Sequence, residues 1–306
     1  MLISRDLHLA RVLKITWKTD LFLIISCSLA YLLDEYVLRE LTDFPTTIPA
    51  LMGTALAFFI GFNNNQAYDR WWEARKIWGG LVNDSRSWAR GVLYYCSIPS
   101  SSSDGQAALS QTQARMVHRH LAFLYALKAN LRRSKDTTYR HYLPEKEMQR
   151  VAGHSNAHNA ILEGQSKDLQ WLSQQGYLDG FRFMALNEMI VRFCDGMGKS
   201  ERIKNTVFPT SYHYFTRLFI WIFVILITIV CTQIVGAWSI LLGWLIGFVF
   251  HSTHLIGLSL LNPFDAIPSG IPLDQITRTI EINLLEMLGE EEIPQPVEPI
   301  NGEYVM

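Results

Sequence analysis

Thr54, Phe58 and Phe62 stand four residues apart, so on a helix all three fall on one stripe. In a lone chain such a stripe is packing, and core packing is the commoner use of aromatic residues at helical spacing. Around a symmetry axis it becomes stacked rings of side chains, a constriction that gates ions by excluding water. The run Asn63, Asn64, Asn65 and Gln66 shifts the balance back toward a pore. Four amides below an apolar constriction suit a wet inner vestibule, although a helix leaving a bilayer also turns polar at that point.

Histidines are the next candidates: His118 with His120, His154 with His158, and His251 with His254. Only His154 and His158 have the i, i+4 spacing that puts two imidazoles on one helical face for a metal. No Glu or Cys completes a ligand motif beside them, so surface histidines are expected, with no metal and no cofactor. His251 and His254 lie in an uncharged span, where an interhelical hydrogen bond is the default and a proton or ion pathway the alternative. The chain has no GxSxG, P-loop, GxGxxG after a strand, or HExxH. Glu73, Asp84, Glu145 and Glu147 form no acid/base pair and read as solvated faces and salt bridges. Cys27, Cys96, Cys194 and Cys231 show no CxxC spacing and read as small buried thiols. Basic residues are interleaved with acids, which leaves no footprint for nucleic acid. Nothing here points to an enzyme.

The elements that would carry these residues follow from where charge is absent. The chain has 306 residues, 49% hydrophobic and 18% charged, with a net charge of −1 and a mean hydropathy of +0.10. Those averages fit a globular enzyme as readily as a membrane protein, so the distribution of charge decides. No Asp, Glu, Lys or Arg lies between Arg217 and Asp265. As one helix that stretch would be about 70 Å long, which is two bilayer crossings rather than one. It divides at Gly236-Ala237-Trp238-Ser239 into a third crossing, 218–235, and a fourth, 240–261, joined by a tight uncharged turn. The first crossing starts at Leu21 and must extend past Leu33 to Leu38 to span a bilayer; no signal cleavage site precedes it. The second starts at Thr46, Thr47 and Pro49 and continues to Phe62, within a charge-free stretch from Asp43 to Asp69.

The expected fold class is an all-α membrane protein with four transmembrane helices per subunit and a large cytoplasmic helical domain around a central pore. Residues 1–19 form a basic amphipathic segment lying against headgroups, 20–62 the first two crossings, 63–216 the helical domain, 217–262 the last two crossings, and 263–306 a C-terminal segment and tail. Arg70, Arg75 and Lys76 follow the second crossing and Lys199, Arg202 and Lys204 precede the third, whereas the first link is acidic. Both termini and the insert are therefore expected in the cytoplasm. In the insert, Trp71, Ala74, Trp78, Leu81, Trp88 and Val92 form a buried stripe, Ser101 to Gln113 a polar loop, and helices cover 114–131, 144–175 and 179–199. The acidic, proline-bearing tail from Glu290 is expected to be extended along a surface or disordered.

At this point the residues resemble a family. GFNNNQAYDRWWEARKIWG, from Gly61 to Gly79, is similar to the region of bestrophins that follows the pore-lining second helix, with Arg70, Trp71 and Trp72 in place of the family's arginine and two tryptophans. Asn262-Pro263-Phe264 resembles the NPF that closes the last transmembrane helix. The resemblance implies a homo-pentamer in membrane lipid, with a narrow apolar neck and a second constriction, the aperture, in the cytoplasmic domain. Thr54, Phe58 and Phe62 would be the neck; the family usually has bulky apolar residues at all three levels, so Thr54 would widen and wet the outermost ring. Counting back from Phe208-Pro209, which resembles the family's Ile-Pro, puts the aperture at Phe181.

Animal bestrophins clasp calcium with an acidic run after NPF, whereas this chain has Asp265-Ala266-Ile267-Pro268-Ser269-Gly270. One carboxylate cannot supply the six to eight oxygens calcium takes, so a calcium-independent channel is expected. The short chain resembles the bacterial branch, hence a bacterial inner membrane. The expected permeant ions are monovalent, with chloride and other anions leading because most of the family is described that way. A sodium-type cation channel is the alternative: Asp69 or Glu73 facing the axis would favour cations, and Arg70 or Arg75 anions. A membrane-anchored ligand-binding protein or scaffold is the reading from another class.

Overall fold

The computed structural model describes residues 9–38, 45–98, 105–206 and 210–306 apart from 301 and 303. The start of the amphipathic segment and the Phe208-Pro209 pair therefore lie outside the described residues. Regular structure among those described is helical: α1 (Leu9–Leu33), α2 (Thr47–Tyr94), α3 (Gly105–Arg132), α4 (Glu145–Ala152), α5 (Ala157–Gln174), α6 (Gly180–Asn205), α7 (Thr210–Val235), α8 (Trp238–Leu260) and α9 (Leu273–Leu288). A π-helical turn, Asp34–Leu38, extends α1, and a 3-10 turn spans Thr138–Tyr142. The described residues divide into two compact units, an apolar one from 4–71 with 207–261 and a polar one from 72–206 with 262–306.

In the apolar unit, Leu23, Cys27, Leu56, Ile60, Ile220, Phe223 and Val224 form the core. Helix α8 is brought against its neighbours by missing side chains: a Cβ on Gly243 would lie 2.1 Å from Thr228 Oγ1, and one on Gly247 2.8 Å from Leu23 Cδ2. Small residues four apart give α1 and α7 room to approach, as in helix pairs packed in lipid. The α7–α8 turn falls at Gly236, whose φ of +58° suits glycine, and Thr232 and Ser239 hydroxyls meet across it at 2.9 Å.

Two expected boundaries are not breaks. The residues at 19 and 20 lie inside α1, which no glycine or proline interrupts and where the Thr16 hydroxyl donates to the Asp20 carboxylate at 2.7 Å. The boundary at 62 and 63 lies inside α2, a 48-residue helix. Among the described residues, three helical spans are long and apolar enough to cross a membrane: Thr16–Leu38, Ser211–Val235 and Trp238–Leu260. The apolar run of α2, Ile48 to Phe62, is shorter, about 22 Å at the helical rise, and ends in amides.

The polar unit departs from expectation at four places. Helix α3 starts at Gly105 rather than 114, because Gln113 donates to the Val92 and Leu93 carbonyls and Leu109 and Thr112 are buried. The expected 144–175 helix is two helices, broken at Gly153–Asn156, where Asn156 caps α5 by accepting from the Asn159 amide. Helix α6 continues to Asn205. Helix α9 lies in the segment expected to carry no helix; it buries Ile276, Ile280 and Leu284 and ends at Gly289 in the left-handed conformation. Of the two expectations for the tail, the extended one holds for its described residues: Gln275 N–H donates to the Met306 carbonyl at 2.9 Å and Val305 is buried.

Helix α3 is the centre of this unit, enclosed nearly all round from Met116 to Leu131 although it carries Arg119 and Lys128. Arg119 donates to Glu147 at 2.7 Å and also reaches Asp168; Lys128 lies 2.9 Å from Asp274 and 3.2 Å from Asp136. Glu147 is thus a half-buried ion-pair partner, whereas Asp84 and Glu73 pair with Arg192 and Arg202 near the surface.

Candidate pore-lining site

Helix α2 begins where Ile48 N–H donates to the Pro45 carbonyl, with Pro49 in the first turn, where its missing amide hydrogen is no loss. One face of its first half packs inward: Leu56 and Ile60 join the core, and Ala67 is buried. The opposite face is uncovered. Phe58 is 68% exposed and Phe62 55%, and their rings meet edge to face at 4.6 Å between centroids. Thr54 is also exposed, and its hydroxyl donates to the Ala50 carbonyl at 3.0 Å. Core packing within the chain, the commoner use of such a stripe, is therefore not its use here.

The four amides separate into two pairs. Asn63 is buried and donates to the Thr216 hydroxyl at 3.4 Å. Asn64 donates to the Thr253 carbonyl at 2.9 Å, seated where Gly257 leaves space: a Cβ there would lie 2.0 Å from Asn64 Oδ1. These two tie α2 to α7 and α8, and only Asn65 and Gln66 are exposed. One turn on, Asp69 is exposed in register with Thr54, Phe58 and Phe62, while Arg70 is half-buried and its guanidinium pKa is lowered by that burial. Trp71 stacks on Tyr68 at 6.2 Å, and Trp72 is exposed.

Phe181 stands in the first turn of α6, 91% exposed. Asp179 caps that turn, its carboxylate accepting from the Arg182 amide at 2.8 Å. In the Asn262-Pro263-Phe264 segment Phe264 is fully buried, and the Pro263 carbonyl accepts from Ile271 N–H at 2.7 Å. Asp265, the one carboxylate of the following loop, lies 3.0 Å from Lys204 Nζ.

Of the histidine pairs, His154 and His158 come apart. His154 sits in the break between α4 and α5, where its Nδ1 lies 2.8 Å from the Arg150 carbonyl, so it shares no helical face with His158. His158 is not a surface residue: it is buried, with Nε2 2.7 Å from Glu201. His120 is fully buried against Phe193, with Nε2 2.8 Å from Ser85 Oγ, and burial lowers its pKa to about 3. His254 lies 5.9 Å from the ring of His213. No group of three or more His, Cys, Asp or Glu is placed to hold a metal among the described residues.

This geometry has relatives. Residues 5–286 match the family model described as Bacterial/Fungal Bestrophin protein. The chain belongs to the bestrophin family. Among similar proteins, voltage-dependent anion channel-forming protein YneE of Escherichia coli O157:H7 is 31% identical over 251 residues, covering 82% of this chain and 79% of the relative. Voltage-dependent anion channel-forming protein RSc3414 of Ralstonia nicotianae is 27% identical over 303 residues, covering 95% of each. A crystal structure of a bacterial bestrophin homologue from Klebsiella pneumoniae superposes with a TM-score of 0.81 at 23% identity, covering 89% of this chain and 98% of the other, which establishes the shared fold. Bestrophins are channels rather than enzymes, and this one is a membrane protein with apolar helices.

Proposed function

We propose that this bestrophin is a homo-pentameric channel of a bacterial inner membrane, conducting small monovalent ions, chiefly chloride and other anions, through a neck of Thr54, Phe58 and Phe62. The observation that carries the reading is the pair of phenyl rings left uncovered on α2 while the opposite face of the same helix is anchored in a core. Five copies of that face around an axis would form stacked apolar rings, which oppose ions by dewetting. On this reading α2 also crosses the membrane, which brings the number of crossings to four. It tolerates a short apolar run because one side meets water in place of lipid. Phe181, exposed at the capped start of α6, would form the aperture, and the insert and both termini would lie in the cytoplasm.

Anions lead because the relatives carry anion-channel names. The cation alternative has its own observation, Asp69 on the uncovered stripe just inside the neck. Flux from liposomes containing the purified protein tests the main reading. Phe58→Ala is expected to raise ion flux several-fold, and a silent, monomeric protein would overturn it. The reversal potential in a salt gradient decides the sign of the ion.

Opening without calcium is part of the same proposal, supported by the Asp265–Lys204 ion pair and the absence of another carboxylate from the 265–270 loop. Current that survives chelation of calcium is the expected outcome, and its loss on chelation would remove this part of the reading.

A further inference from the structure

A cavity of about 230 Å³ opens in the polar unit, outside the residues assigned to conduction. Three elements meet there: the end of α3 with Asn130 and Arg133, the start of α5 with Ser155, Asn156 and His158, and the end of α6 with Glu201, Lys204 and Asn205. Every one of these side chains is polar, and both signs of charge are present on the wall.

The negative group is held in place. Glu201 accepts from His158 Nε2 at 2.7 Å and from the Asn156 amide at 3.3 Å. Burial lowers the pKa of His158, outweighing Glu201, so the imidazole is a neutral donor at neutral pH. On the positive side, Lys204 is shared with Asp265, whereas Arg133 makes no ion pair with the described residues.

Arg133 also has an unusual backbone. Its φ of +50° makes it the one non-glycine residue in the left-handed region among those described. It follows the last turn of α3, where Ser134 N–H donates to the Ala129 carbonyl at 3.0 Å, a closure that ordinarily takes glycine. Arg133 thus holds a conformation that costs a non-glycine residue free energy, and its exposed side chain lines the mouth of a polar cavity.

We infer that this cavity binds an amino-acid-sized zwitterion, its carboxylate toward Arg133 and Lys204 and its ammonium toward Glu201. A purely anionic ligand would meet the fixed Glu201 carboxylate, and a purely cationic one would meet Arg133 and Lys204. A molecule carrying both charges satisfies both walls, with Asn130, Ser155 and Asn205 left for its side chain.

Calorimetric titration of the full-length protein in detergent tests this with L-alanine, L-serine, L-glutamine and L-glutamate, against propionate and propylamine as single-charge probes. At least one amino acid is expected to bind saturably near or below about 1 mM, with both single-charge probes at least about tenfold weaker. Arg133→Gly separates binding from folding, since glycine suits the left-handed backbone: its melting temperature should equal or exceed that of the wild type while binding weakens at least about tenfold. Glu201→Gln should weaken the amino acid but not propionate. The inference is overturned by no binding of any of the four amino acids up to about 10 mM, by propionate binding as well as alanine, or by Arg133→Gly binding like the wild type.

Discussion

The two units are built inside out relative to each other. In the apolar unit Phe22, Leu29, Leu51 and Ile234 are exposed, while Gly243, Gly247, Thr228, Thr232 and Asn63 lie within. In the polar unit Trp78, Trp88, Phe123 and Phe193 are fully buried, and Arg119 and Lys128 are enclosed with their partners. The difference follows from the solvent each unit meets. Lipid tails are as apolar as leucine, so the apolar unit holds together through close approach and hydrogen bonds between helices. The polar unit relies on burial from water, and any charge it encloses must be neutralised. Substitutions of opposite kinds should therefore damage the two units.

The largest effect is expected at Arg119. Arg119→Ala removes the buried cation between Glu147 and Asp168 and leaves them only the more exposed Arg150 and Arg115, a loss of about 3 kcal/mol of stability. Thermal unfolding followed by tryptophan fluorescence should show a drop of many degrees. An unchanged midpoint would show that the pairs contribute nothing net, and the contrast between the units would lose its electrostatic half.

Next is the pH dependence conferred by His120. Its folded pKa is lowered to about 3 by burial, against an ordinary value near 6.5. Between those values the unfolded chain takes up a proton that the folded one refuses, so stability falls as pH falls, by about 1.4 kcal/mol per unit. Above pH 6.5 this contribution is flat. His120→Leu keeps the site apolar beside Phe123 and Phe193, and is expected to flatten the acid limb of a plot of melting temperature against pH. An equally steep limb in the variant would assign the proton uptake to other groups.

These two residues also mark the limit of what the chain's order reveals. Three of the expected spans and the α7–α8 turn are legible because absence of charge and a tight turn are local properties. So is the stripe of Thr54, Phe58 and Phe62, which needs only the helical period. Arg119 is not legible: its partners lie 28 and 49 residues away, and α3 is too polar in composition to read as a central helix. The His154 and His158 spacing misled because Gly153 and the Asn156 cap break the helix that would have aligned them. The division of the amides into Asn63 and Asn64 inside and Asn65 and Gln66 outside depends on where α7 and α8 lie, which no local pattern encodes. Helix α9 did carry a signal, Ile276, Ile280 and Leu284 at four-residue steps before Gly289.

In the apolar unit the matching break is steric. Gly243→Ala places a methyl group 2.1 Å from Thr228 Oγ1, where α8 lies against its neighbours, and is expected to cost about 1–3 kcal/mol. Gel filtration in detergent should show less assembled protein. Gly61→Ala on α2, where an added Cβ meets nothing within 4 Å, should leave that yield nearly unchanged. Equal losses at both positions would mean that added bulk anywhere in these helices is harmful, and that close approach at Gly243 is not special.

The smallest expected effect is at Asp179. Its carboxylate accepts from the Arg182 amide at 2.8 Å and also lies 3.3 Å from the Arg182 guanidinium, at an exposed helix start. An exposed pair of this kind adds little, whereas loss of the cap costs about 1 kcal/mol. Asp179→Ala should therefore lower the melting temperature only slightly, while fraying the turn that presents Phe181. If Phe181 forms a constriction, flux should respond to Asp179→Ala more than stability does, and Asp179→Asn, which keeps a capping oxygen, should restore most of it. A flux unaffected by either substitution would leave the neck as the sole constriction and make the cap at Asp179 a matter of stability alone.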